Sequence, residues 1–135
     1  MESSRKNELA HLGAALRWLD GEHARNSYDH ALAFTSNDTY GLNSSILLDI
    51  ERHVVESLGV ARRWLSTRIT NDAFTVRVVF GPAEVVVLPT ALFIANWPDL
   101  FLPGRDDAVV LADRSNWVFF FCHENELELG YRCPT

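Results

Sequence analysis

Only two cysteines occur in this 135-residue chain, Cys122 and Cys133. Two cannot make a disulfide framework, so the core must hold the chain together, and a reducing cytoplasmic compartment is the expected setting. Cys122 follows three phenylalanines and reads as a buried thiol. Long apolar runs are missing as well. Stretches such as Val85–Leu88 and Trp117–Cys122 fall far short of the ~20 residues of a membrane helix. The opening residues, Met1 to Glu8, are polar and lead into an amphipathic pattern, so no secretory leader is expected. Positive charge is scarce: 12 Lys and Arg against 18 Asp and Glu give a net charge of −6. That balance argues against nucleic acid as a partner, which needs a positive field to displace counterions. It suits a basic partner, or solubility alone.

Complete catalytic and cofactor motifs are the last absence. No glycine-rich loop leads from a strand into a helix with phosphate-binding spacing, so no nucleotide and no cofactor is expected. His123-Glu124 begins like the zinc-peptidase motif, but positions 126 and 127 are Glu and Leu, so the second histidine one helical turn later is missing. No metal site is expected there. Cys122 beside His123 fails as a nucleophile–base pair on the same reading, because neighbours on a strand point to opposite faces. No catalytic residue is assigned.

What is present is enough hydrophobic material for one domain spanning residues 1–135: 47% of the chain, including four Trp and eight Phe. A chain of this length buries roughly two-thirds of its unfolded surface and needs no staple. The first helix is expected from Arg5 to Leu19, capped by Ser3 or Ser4, with Leu9, Leu12, Leu16 and Leu19 on one face and Gly21 as the stop. Residues 22–34 fit either a short helix or an extended piece, and 35–41 read as a surface loop. Asn43 or Ser44 then caps a second helix that turns Ile46, Leu47, Ile50, Val54 and Leu58 inward and ends at Gly59.

After a locally basic segment (Arg62, Arg63, Arg68) the period changes to two. Phe74, Val76, Val78 and Phe80 face one way, and Thr75, Arg77 and Val79 the other. Gly81-Pro82 turns this strand into Val85–Leu88 as a hairpin. Thr90 caps a short helix with Leu92, Phe93, Ala95 and Trp97 inward, which Pro98 terminates. The chain closes with a meander: Ala108–Ala112, Trp117–Cys122 and Leu127–Tyr131, separated by polar breaks at 113–116 and 123–126. The expected fold is α+β. Two N-terminal helices pack on a mostly antiparallel sheet of about five strands, with a short helix between the hairpin and the three-stranded meander.

The breaks carry acids. Asp106, Asp107, Asp113, Glu124, Glu126 and Glu128 fall at strand ends, where Asp also serves turn geometry and charge discourages edge pairing. Gathered along one border, Asp106, Asp107, Asp113, Glu124 and Glu126 would face a basic protein partner, with Trp97 and Trp117 as apolar anchors. The alternatives are a small-ligand or metal protein, or an enzyme, built on His123 and nearby carboxylates, and a module that self-associates through an exposed strand.

The segment Asp107-Ala108-Val109-Val110 … Asp113-Arg114-Ser115-Asn116-Trp117-Val118-Phe119-Phe120-Phe121-Cys122-His123-Glu124 … Gly130-Tyr131-Arg132 resembles the ending of small bacterial α+β immunity proteins encoded beside polymorphic toxins. In those families a strand ends in Asp, a Trp opens the next strand, and a His precedes the final hairpin. The resemblance covers about one-fifth of the chain. It implies a cytoplasmic, non-catalytic protein that binds another protein, such as a basic toxin, and supplies no site residues.

Overall fold

A computed structural model describes residues 4–35, 41–69 and 74–132. Its centre is a seven-stranded antiparallel sheet in the order β1-β4-β3-β5-β6-β7-β2. The strands are β1 (Arg17–Trp18), β2 (Leu47–Val54), β3 (Thr75–Gly81), β4 (Glu84–Pro89), β5 (Ala108–Ala112), β6 (Trp117–Cys122) and β7 (Glu126–Arg132). The helices are α1 (Ser4–Glu8), α2 (Gly21–Leu32), α3 (Leu58–Ser66) and α4 (Thr90–Leu100), with a 3-10 segment at Ala10–Ala15. The α+β class, the hairpin and the closing meander stand as expected.

The sheet is covered on both faces, which is why every residue of β5 and β6 is buried and why these strands read as nearly unbroken apolar runs. Alternation divides their side chains between two cores. Val76, Val78, Val110, Trp117, Phe119, Phe121, Leu127 and Leu129 meet Leu9, Leu65, Phe93 and Trp97 on one face. Val79, Val109, Leu111, Val118, Phe120 and Cys122 meet Ala24, Ala31, Phe34, Leu42 and Leu47 on the other. Each fully buried Phe or Leu contributes about 1.5–3 kcal/mol.

Several expectations are corrected, beginning with the strand count, which is seven rather than about five. The Arg5–Leu19 helix breaks at Gly13, whose φ of 59° and ψ of −135° no helix contains. Arg17 and Trp18 then pair with Val87 and Val86 of β4. The leucine stripe is used, but it is split: Leu9, Leu12 and Leu16 pack on one core and Leu19 on the other. The second expected helix is instead strand β2, which pairs with β7 from Leu47↔Arg132 to Val54↔Glu126, with a bulge between Leu48 and Glu51. Without it β7, the last strand of the meander, would present an unpaired edge, and that tertiary demand outweighs helix propensity in a segment containing Ile and Val. Leu58 and Gly59 open α3 rather than closing a helix, with Ser57 as its cap. Finally, Pro98 lies inside α4, which runs on to Leu100. Thr90 is not the cap; its hydroxyl donates to the Phe74 carbonyl at 2.8 Å, tying α4 to the start of β3.

Residues 22–34 resolve mostly into helix α2. Most of the expected 35–41 loop, together with Ser3 and Cys133, lies outside the described residues. Among the described residues no helix is long and apolar enough to cross a membrane.

Candidate functional site at the β6–β7 end of the sheet

Successive turns of a meander fall at opposite ends of a sheet, and this decides where the acids go. Ala108 pairs with Phe121, so Asp107, just before β5, lies beside the β6–β7 turn that carries His123, Glu124 and Asn125. The Gly104 amide donates to the His123 carbonyl at 2.7 Å and fastens the 102–107 approach to the same turn. Asp113 follows β5 and lies at the far end, roughly 15 Å or more away for a strand of this length. The expected common border is therefore overturned for Asp113. There, Arg77 donates to its carboxylate at 3.1 Å and the Thr75 hydroxyl donates to it as well.

Asp106 is also removed from the surface. It is 3% exposed and accepts hydrogen bonds from Arg5 at 2.8 Å, from Arg105 at 2.9 and 3.0 Å and from the Leu102 amide at 2.7 Å. Arg105 reaches on to Glu8; its hydrogen bonds to Asp106 and then to Glu8 raise the guanidinium pKa, and its bond to Glu8 lowers that carboxyl's. Asp106 is thus a structural clamp between the N-terminal helix and the approach to β5. Glu128 has a similar part: buried, it accepts the Leu42 amide at 2.8 Å and Arg52 at 2.7 Å, and it leaves no room for a side chain at Gly41, whose φ is 108°.

Trp97 and Trp117 are 1% and 3% exposed, so neither projects as a surface anchor. Alternation in β6 and the inward face of α4 send both indoles to the same core, where Trp117 stacks on Phe93 with centroids 6.2 Å apart. Trp97 nevertheless lines a cleft of about 300 Å³ with Leu58, Pro98, Phe101, Pro103, Phe121 and Asn125. The cleft opens at the β6–β7 turn, and its surroundings are apolar and exposed: Leu58, Leu102 and Val54 are each just over half exposed. On the other face of the sheet, at the same end, a second hollow of about 380 Å³ has an apolar lining that includes Tyr28, Val79, Val109 and Phe120. Among the described residues, Asp107 is the charged one in its lining.

Between the two hollows sit Asp107, Cys122 and His123. The Asp107 carboxylate accepts the His123 backbone amide at 2.9 Å and lies 3.0 Å from the ring Nδ1. The hydrogen bond to Asp107 raises the imidazole pKa. Burial raises that of the Cys122 thiol. The strand alternation used to separate His123 from Cys122 does not extend to His123, although a spacing of up to 4.8 Å is not the ~3 Å of a nucleophile–base pair. His123 stands in the turn beyond β6, outside the alternation, and a ligand atom from each of the three residues lies within 4.8 Å of the others.

Glu124 is exposed, and Glu126, half-buried, faces Arg52 at 3.9 Å. Sequence reasoning missed Glu56 and Leu58 as members of this end. They arrive because Asn125, at a φ of 63°, exchanges backbone and side-chain hydrogen bonds with Val55. Only the pairing of β2 with β7 brings them there, and no local signal carries it.

No family model, curated protein or solved structure matches the chain.

Proposed function

We propose that this chain is a non-catalytic protein-binding module, and that its docking surface is the β6–β7 end of the sheet. The observation that carries the reading is one juxtaposition. Exposed carboxylates at Glu56, Glu124 and Asp107 stand at the same end as an open apolar cleft lined by the half-exposed Leu58, with Leu102, also half-exposed, between its lining residues Phe101 and Pro103 in sequence. Exposed apolar groups next to single-sign charge suit a partner that brings a basic rim and an apolar anchor. The carboxylates would speed encounter, and the cleft over Phe101, Phe121 and Trp97 would slow release. A basic toxin is a partner of this kind, and the immunity-type ending of the chain supports that choice.

The test uses a partner recovered from the chain's own cells. Converting Glu56, Glu124 and Glu126 together to Gln is expected to slow association about tenfold at low ionic strength, with the difference vanishing in high salt. Leu58→Asp is expected to raise the dissociation rate instead. Rates unchanged in both variants would remove this end of the sheet from the binding reaction.

A further inference from the structure

We propose that Asp107, Cys122 and His123 form a binding site for a zinc-class divalent metal ion. A thiol, an imidazole and a carboxylate are the donors such an ion takes, whereas magnesium and calcium prefer oxygen alone. The three donor atoms already lie within 4.8 Å of one another. A tetrahedral centre with bonds of about 2.0–2.3 Å wants them roughly 3.5 Å apart, so rotations of about an ångström close the site.

The scaffold limits what must move. Pairing of β5 with β6 fixes Asp107 opposite Cys122, and the backbone amide of His123 holds the Asp107 carboxylate. The Glu124 amide points at the Cys122 sulfur at 3.4 Å, a contact that favours the thiolate a metal requires. On binding, the thiol proton passes to solvent and the sulfur lone pair forms the metal bond. Three protein donors leave one tetrahedral position for water, the donor count of an open site rather than a closed structural one. Asp107 also lines the larger hollow, which gives exchangeable ligands a route.

The proposal does not rest on the protein-binding reading, and its test needs no partner. Full-length chain carrying Cys133→Ser is titrated with Co²⁺, then with Zn²⁺ in competition. The expected result is one equivalent bound with a thiolate-to-cobalt charge-transfer band that Cys122→Ser abolishes. Asp107→Asn and His123→Ala alter half-exposed side chains; circular dichroism is expected to show both variants folded, and each is expected to weaken binding on the order of 100-fold. Absence of the band overturns the proposal, as does a band that survives Cys122→Ser or binding indifferent to Asp107→Asn and His123→Ala.

Discussion

The two ends of the sheet start from the same local chemistry and arrive at different surfaces. Both carry a short polar turn of the meander flanked by an aspartate. At the 113–116 end, β3 places Arg77 beside Asp113, and Arg114 and Arg132 stand close by in sequence or across the strand pair, Arg132 donating to the Ser115 carbonyl at 2.6 Å. The acid is paired there, and cations outnumber it. At the 123–125 end the neighbouring chain is the start of β5, which brings another acid, Asp107, and β2 adds Glu56 behind Val55. Of the cations nearby, Arg105 is spent on buried Asp106 and on Glu8, and Arg52 on Glu128 and Glu126. A turn acid's role is therefore set by its cross-strand neighbour.

Breaking the comparison is simplest at the two aspartates. Asp106→Ala is expected to cost about 3–5 kcal/mol, because it removes the buried carboxylate to which both Arg5, only 13% exposed, and Arg105 donate, leaving Arg5 only the longer contact to Glu84 among its ion pairs within the described residues. Asp113→Ala removes a half-exposed pair and is expected to cost about 1 kcal/mol or less. Urea unfolding midpoints distinguish the two, and equal losses would contradict the assignment of Asp106 as a clamp.

Gly41→Ala comes next, at about 1–3 kcal/mol. A Cβ there meets the Glu128 carboxylate at 2.5 Å, and the backbone sits at a positive φ. Relief of that loss by Glu128→Ala in the double variant would sharpen the case for a steric origin, while strictly additive costs would point to the backbone alone. The smallest stability effect is expected at the acid end's surface. Glu124→Lys should shift unfolding by no more than about 0.5 kcal/mol while slowing association with the partner, and Arg114→Glu at the other end should leave association unchanged. A large stability loss at Glu124 would recast it as structural.

The sequence made the centre of the fold legible and its edges illegible. The meander and the β3–β4 hairpin declare themselves through β-branched and aromatic runs cut by polar breaks. Residues 47–54 do not, because Leu47, Ile50 and Val54 follow a helical period, and only the unpaired side of β7, together with the bulge between Leu48 and Glu51, makes the segment a strand. Gly13 had no reason to stand out until β4 offered Arg17 and Trp18 a partner. Of the candidate site, Asp107, Glu124 and Glu126 were legible as acids near one turn, yet Asp113 belongs to the opposite end by the geometry of any meander. Trp97 and Trp117 went to the core because α4 turns one face inward and β6 is buried on both. The Asp107–His123 pair escaped motif reading because sheet pairing, not spacing on a helix, joins residues 16 apart.

The central claim, that the β6–β7 end docks another protein, is tested most directly by a photo-crosslinking residue placed at Leu58, or in separate chains at Arg114, within the producing cells. The account predicts one discrete adduct from Leu58, lost when Glu56, Glu124 and Glu126 are neutralised, and none from Arg114. Adducts from Arg114 alone, or indiscriminate adducts from both positions, would contradict it.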